Sequence, residues 1–343
     1  MLRETLPRLI KGENLTQDEA RGIMLRIMAG DAGAAETAAL MTALTIKGET
    51  VEEVAGFAQA MREGAEPFPT RTEMLVDTCG TGGDRAGTFN ISTTAAFVAA
   101  GAGLTVAKHG NRSVTSRSGS ADVLEALGVA VDLPLDKAVG ALDHVGMTFL
   151  FAPKWHPAMR HVTPVRRELP FPTVFNLLGP LANPARPRAQ LMGVHSPALT
   201  GFMARVLGVL GTERALVVHG GGLDEVSVCG PTAGYWLADG VIARFRFDPA
   251  ELGWAWADPD ELHGGGPEEN ATIVRGILDG SITGAKRRAV LLNAAAALAV
   301  AGKADHIADA VPLAEEAIDS GAALAKLEGL IAYTRDAVAA ESR

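Results

Sequence analysis

Beyond residue 70 the chain alternates short β-branched runs with alanine- and glycine-rich stretches of helical character, and that alternation leaves few folds open. The runs are Leu75-Val76-Asp77, Leu104 to Ala107, Met147 to Leu150, Leu191 to Val194, Ala215 to Val218 and Val241 to Phe245. Helical stretches separate most of them, so the expectation is an α/β fold whose central sheet is mostly parallel and flanked by helices. From Glu268 onward the pattern is helical alone.

The start of the chain has a different texture. Thr16-Gln17-Asp18-Glu19 and Thr50-Val51-Glu52-Glu53 both match the capping box, and apolar residues then recur at helical spacing, as in Ile23, Ile27 and Met28 or Val54, Phe57, Ala58 and Met61. Two prolines within Ala65-Glu66-Pro67-Phe68-Pro69-Thr70 disfavour helix continuation and mark a linker. With 343 residues, above the roughly 100 to 200 of one domain, two domains are expected: a small helical domain over 1–66 and a large α/β domain over 71–343. His156 to Leu181, proline-rich yet helical in pattern, breaks the alternation, and a return to the helical domain over about 157–182 is expected.

Three polar, glycine-bearing loops follow predicted strands. The first, Asp77-Thr78-Cys79-Gly80-Thr81-Gly82-Gly83-Asp84, leads through Thr88 and Asn90-Ile91-Ser92-Thr93-Thr94 into a helix expected to begin near Ala95. Glycines let backbone amides approach a ligand, a helix start supplies orphan amides, and the hydroxyls of Thr88, Ser92 and Thr93 add donors, which together suit a phosphate. A dinucleotide fingerprint is excluded because its third glycine would fall on Arg85, and a Walker A loop because Thr88 stands where lysine is required. The second loop, Lys108 to Asp122, concentrates cations, an imidazole and hydroxyls ahead of a helix expected to be capped by Ser120. At the carboxyl end of a strand in an open α/β sheet this reads as an anion site. The third, His219-Gly220-Gly221-Gly222-Leu223-Asp224-Glu225, places two adjacent carboxylates after a glycine run, as magnesium requires when it shares its shell with substrate phosphates.

Charge and cysteine content narrow the chemistry. A net charge of −9 offers no general field for nucleic acid, so a polyanionic substrate has to be captured by a local device. The two cysteines, Cys79 and Cys229, suggest neither a disulfide framework nor a zinc site. Met1-Leu2-Arg3-Glu4-Thr5 lacks the apolar run of a secretory signal, and Ala289 to Ala301 falls short of the roughly 20 apolar residues of a membrane span, so a cytoplasmic protein without membrane contact is expected.

Taken together, Gly80-Thr81-Gly82-Gly83-Asp84, Asn90-Ile91-Ser92-Thr93-Thr94, Lys108-His109-Gly110-Asn111-Arg112, Ser118-Gly119-Ser120-Ala121-Asp122, Val165-Arg166-Arg167-Glu168-Leu169, Phe175-Asn176-Leu177-Leu178-Gly179-Pro180-Leu181 and Gly222-Leu223-Asp224-Glu225 closely resemble the anthranilate phosphoribosyltransferase family, in family order over nearly the whole chain. The resemblance implies a fold like that of the nucleoside phosphorylases and phosphoribosyltransferases, a homodimer formed through the helical parts, and transfer of the phosphoribosyl group of phosphoribosyl pyrophosphate (PRPP) to the amine of anthranilate in tryptophan biosynthesis. By position it assigns PRPP to Gly80, Gly83, Asp84, Thr88, Asn90, Ile91, Ser92, Thr93, Lys108, His109, Gly110, Asn111, Arg112, Ser113, Val114, Thr115, Ser116 and Ser120. Anthranilate falls to Gly80, Asn111 and Arg166. Two Mg2+ ions fall to Ser92 with Glu225, and to Asp224 with Glu225. Pro170-Phe171-Pro172 departs from the glycine and arginine usual there, which puts the local loop in question.

Cleavage at the anomeric carbon builds positive charge on ribose and negative charge on pyrophosphate, so preorganised charge stabilisation and positioning should carry the rate. No residue is assigned with certainty as a proton-transfer catalyst; His109 is the nearest candidate base and could equally position substrate. The alternatives are a pyrimidine nucleoside phosphorylase, disfavoured by the paired carboxylates and the Lys-His-Gly-Asn-Arg segment, and a non-catalytic nucleic-acid-binding relative, disfavoured by the acidic balance and the 5% aromatic content.

Overall fold

Leu191 and Met192 are neighbours in one strand yet belong to different hydrophobic clusters, as do Ala215 and Leu216, because successive side chains of a strand face opposite sides of the sheet. Both faces are therefore buried. The computed structural model describes residues 2–70, 72–113 and 116–341. Four helices come first, α1 (Leu2–Ile10), α2 (Gln17–Ala29), α3 (Ala34–Lys47) and α4 (Val51–Glu63). The hydroxyls of Thr16 and Thr50 cap α2 and α4 with reciprocal Glu19 and Glu53 bonds, as the sequence predicts. The sheet then builds from β1 (Leu75–Gly80), β2 (Thr105–Gly110), β3 (Met147–Phe151), β4 (Ala189–Gly193), β5 (Arg214–Gly220), β6 (Thr232–Ala238) and β7 (Val241–Phe247). Between them lie α5 (Ile91–Gly101), α6 (Ser120–Leu127), α7 (Leu135–Val145), the short α8 (Ala152–Trp155), α9 (Thr163–Glu168) and α10 (Phe175–Leu178), and α11 (Pro197–Val209). The chain closes with α12 (Pro267–Leu278), α13 (Ala285–Val300), α14 (Ile307–Asp319) and α15 (Ala322–Glu341).

Strand order is β3-β2-β1-β4-β5-β6-β7, parallel from β3 through β5 and antiparallel beyond. All six expected strands form, and β6 is an addition. It pairs with β7 through a two-residue turn in which Asp239 (φ 51°) and Gly240 (φ 75°) are both left-handed. One face of the sheet packs on α5 and α12 to α15, with the alanine-rich α13 buried almost throughout. The other carries α11, which shares a core with α2 to α4 and with Val162, Val165, Phe175 and Leu178 from the 157–182 segment. The architecture is a small N-terminal helical domain plus a large α/β domain.

Two helix starts differ from expectation. Helix α5 begins at Ile91 rather than near Ala95, so Ser92 and Thr93 lie in its first turn. Ser120 is the first residue of α6, not its cap. The Asp122 carboxylate instead reaches back to the amide of Gly119 at 2.8 Å, a stronger acceptor than a serine hydroxyl.

Candidate active site

The β1 strand pairs in parallel with β2 on one side and β4 on the other, and the chain winds outward in opposite directions from that point. Loops leaving the carboxyl ends of β1 and β4 consequently diverge and open a crevice, the usual ligand position in such sheets. The three predicted loops leave β1, β2 and β5 at this same end.

Over the crevice, Gly82 (φ 64°), Gly83 (φ 93°), Arg85 (φ 59°) and Gly87 (φ 66°) turn the chain through left-handed positions. The loop is held at both ends. Thr81 donates its amide to Gly193 at 3.0 Å, while Gly264 donates to Gly87 at 3.0 Å and Phe89 to Leu262 at 3.1 Å. At the start of α5 the intrahelical ladder begins with the Thr94 amide bonding Asn90, which leaves the Ser92 and Thr93 amides outside it. Burial raises the Glu225 carboxyl, and the nearby Ser92 amide opposes that rise. The side chains of Ile91 and Thr93 are buried, so these two residues can offer a ligand only their backbone. Asn90 is fixed by Asn270 at 2.8 Å and by the Ser118 carbonyl at 3.2 Å.

Asp224 and Glu225 are brought under this loop by close backbone packing. A Cβ on Gly193 would lie 1.5 Å from the Asp224 carbonyl oxygen, and one on Gly80 would lie 2.5 Å from Asp224 Oδ2. The Gly82 amide donates to Asp224 Oδ2 at 2.8 Å, and the Asp224 amide reaches Asp84 Oδ2 at 3.4 Å. Behind them, buried Asn293 anchors Val226 by two 2.9 Å bonds. Burial, then the charge of Asp84, raises the Asp224 carboxyl to about 7. Burial, then Asp224, pushes Glu225 well above the carboxylate range. Among the described residues no three His, Cys, Asp or Glu side chains close into a metal cage. A divalent cation suits this donor set all the same, since it would relieve the repulsion and complete its shell with substrate oxygens, as magnesium does.

Lys108 runs beneath the loop, donating to the Thr78 carbonyl at 2.5 Å and to Ser92 Oγ at 3.3 Å. Burial lowers its pKa while Asp77 opposes the shift. Asp77 is itself buried and raised to about 6 by desolvation, and accepts from Asn183 at 2.9 Å. His109 is buried edge-on against His156, with ring centroids 5.2 Å apart and its Nε2 without a partner among the described residues. Burial lowers it to about 3 and His156 to about 4, so both rings are neutral near pH 7.

In the second loop Asp122 also accepts from the Ser113 amide at 2.8 Å, and Ser120 Oγ donates to the Asn111 carbonyl at 3.3 Å. Ser113 Oγ donates to the Ser116 carbonyl. Arg112 is engaged by Glu125 at 2.5 Å and lies over Phe151 at 5.0 Å. Val114 and Thr115 lie outside the described residues. Arg166 is on α9, half-buried, 5.6 Å from the Phe175 ring, and makes no ion pair with the described residues. The Pro172 carbonyl of the departing segment accepts from Thr45 on α3 at 3.5 Å. Reasoning from sequence missed His195, the first polar residue after β4, whose Nδ1 lies 3.2 Å from Thr81 Oγ1. It missed Asn183 and Asn270 as well. The strand-end rule that selected the other loops applies to His195 unchanged; Asn183 and Asn270 give no local signal.

Residues 3–65 match the helical bundle domain of the glycosyl transferase family, and residues 72–324 match its a/b domain. Anthranilate phosphoribosyltransferase of Moorella thermoacetica is 53% identical over 334 residues, 97% of this chain and 98% of that protein. The crystal structure of anthranilate phosphoribosyltransferase from Thermus thermophilus is similar with a TM-score of 0.92 at 45% identity, covering 96% of this chain and 99% of the other. The Saccharomyces cerevisiae enzyme of the same name, in complex with PRPP and Mg, gives 0.89 at 28% identity over 98% of both chains.

Proposed function

The chain belongs to the anthranilate phosphoribosyltransferases of the glycosyl transferase family, and from that premise we propose that its crevice divides into a pyrophosphate half and an anthranilate half. The enzyme transfers the phosphoribosyl group of PRPP to the amine of anthranilate and releases pyrophosphate, in tryptophan biosynthesis. The gathering of Asp84, Asp224 and Glu225 beneath the glycine loop and the start of α5 is the observation that carries the division.

In the pyrophosphate half, Gly83, the loop that follows β2 and the Ser92 and Thr93 amides bind the phosphates. Asp224 and Glu225, with Ser92, hold Mg2+ in two positions. Magnesium supplies charge that offsets the leaving pyrophosphate. Lys108, tied to Thr78 and Ser92, fixes the base of the loop so that its donors are aligned before substrate arrives. In the anthranilate half, Arg166, with no acidic partner among the described residues, takes the substrate carboxylate through charge-assisted bonds beside Gly80 and Asn111. The anthranilate amine is itself nucleophilic, and its positioning against the anomeric carbon is what the two halves accomplish together. A neutral His109 positions rather than carries charge.

Ile10 and Ile46, 77% and 82% exposed at the ends of α1 and α3, support a homodimer formed through the helical domain. Two free cysteines, and no described helix long and apolar enough to cross a membrane, support a cytoplasmic setting. The test is loss of anthranilate fluorescence on adding PRPP and magnesium: turnover is expected only with both, and full turnover in excess chelator contradicts the proposed division.

A further inference from the structure

At the opposite end of the sheet, where β4 and β5 begin, a cavity of about 540 Å³ lies between the end of α4, the 186–188 segment and the end of α11. Strand β4 separates the two ends of the sheet by five residues, on the order of 16 Å at ~3.3 Å each, so this is not the crevice described above. Its volume falls within the roughly 300 to 1,000 Å³ of small-molecule pockets.

The charges lining it are unevenly matched. Arg188 pairs with Glu213 at 3.1 Å, and Glu63 is drawn to Arg21 at 2.7 Å. Arg62 and Arg186 make no ion pair with the described residues. Arg62 donates Nε to the Leu181 carbonyl at 2.6 Å and one terminal nitrogen to Leu210 at 3.4 Å. Among the described residues the Arg186 side chain donates only to the Arg62 carbonyl, at 3.4 Å. Most of the N–H donors of both guanidinium groups have no partner among the described residues. Burial, then Arg186, lowers the Arg62 pKa to about 10, and Glu63, drawn mainly to Arg21, is an acidic group that also feels the charge of Arg186. Arg186 also adopts φ 47°, a left-handed conformation uncommon for a residue with a side chain and costing of order 1 kcal/mol, which here turns its side chain toward Arg62. Leu210 and Pro187 supply an apolar wall, and the bonded amides of Gln17 and Gln59 a polar one.

We propose that this cavity is a second binding site, taking a small metabolite whose phosphate or paired carboxylates lie between Arg62 and Arg186. Such an anion offsets two like charges at once, while the remaining volume accepts the rest of the molecule.

Calorimetric titration of the full chain with inorganic phosphate, glycerol phosphate and succinate tests this. It is done in the unmodified protein and in Gly83→Val, which closes the strand-end loop to phosphates. Arg186→Gln, at an exposed side chain, and Arg62→Met are each expected to weaken the tightest of the three probes about tenfold or more, and to do so in both backgrounds. Preference for glycerol phosphate assigns a phosphate monoester, and preference for succinate a dicarboxylate. If Arg62→Met does not fold, Arg186→Gln decides alone; if Gly83→Val does not, one of two binding events in the parent must vanish with Arg186→Gln. No binding at millimolar concentration, or binding abolished by Gly83→Val and untouched by Arg186→Gln, overturns the proposal.

Discussion

Replacing Gly193 by alanine should disable the metal site without touching a ligand. The added methyl would lie 1.5 Å from the Asp224 carbonyl oxygen. Because non-bonded heavy atoms settle no closer than about 3 Å, the Asp224 segment must retreat by roughly 1.5 Å. It cannot yield by rotating a side chain, since the atom met is backbone, and Asn293 fixes Val226 from behind. A misplacement of about 1 Å in an active site costs on the order of 10²-fold in rate, so kcat/KM should fall by at least that, about 2.7 kcal/mol of transition-state stabilisation. Overpacking should lower stability by about 1 to 3 kcal/mol and leave the protein folded. Gly103→Ala is the control: φ is 91°, nothing lies within 4 Å of the new methyl, and only the left-handed backbone is penalised, by about 1 kcal/mol. The assay is anthranilate fluorescence against PRPP and magnesium concentration, with urea midpoints in parallel. A Gly193→Ala enzyme within about threefold of the parent, with unchanged magnesium dependence, would refute the assignment of Asp224 and the packing argument together.

The double variant Asp224→Asn with Glu225→Gln keeps shape and removes two charges, so magnesium affinity should drop by at least about tenfold and excess magnesium should restore part of the rate; a normal magnesium titration with one ionisation missing from the pH–rate profile would favour proton transfer instead. Arg166→Ala should raise the KM for anthranilate about tenfold or more while that for PRPP changes little, and the reverse pattern would move Arg166 to the other half of the site. His109 and His156, with folded values near 3 and 4 against an ordinary value of about 6.5, bind protons more readily unfolded, so their contribution is complete above pH ~6.5 and is lost as pH falls toward 4. The raised carboxyls of Asp77 and Asp224 act in the opposite sense, so the informative quantity is the difference between His156→Gln and the parent. The variant should lose up to about 1.4 kcal/mol less per pH unit between 6 and 4.5, and parallel urea midpoints across that range would contradict a neutral buried ring.

What the sequence reveals and what it hides have physical reasons. Loops after β1, β2 and β5 were legible because glycine, hydroxyl and charge follow β-branched runs, a juxtaposition that a solvated turn does not need. Strand β6 was not, because Gly234 breaks Thr232–Ala238. A Cβ there would lie 2.0 Å from the Val217 carbonyl oxygen, so the strand approaches β5 only without a side chain, and the sequence resembles a turn. Asn183, Asn270 and Asn293 act across at least 67 residues of chain, and a lone asparagine carries no local mark of a distant partner. Lys108 and His109 looked like donors facing the ligand, yet a strand residue's burial depends on which helix covers it, and both lie inside.

The reaction turns on one bond, from the anthranilate nitrogen to the anomeric carbon, formed as pyrophosphate leaves. Incubating the full chain with 15N-labelled anthranilate and PRPP carrying 13C at the anomeric carbon, then recording the 13C spectrum, observes that bond itself. A one-bond 15N coupling on the anomeric carbon should grow in proportion to released pyrophosphate, only with magnesium, and should be lost with Asp224→Asn plus Glu225→Gln. Pyrophosphate released without that coupling, as in hydrolysis to ribose phosphate, or coupling that develops fully in excess chelator, would contradict it.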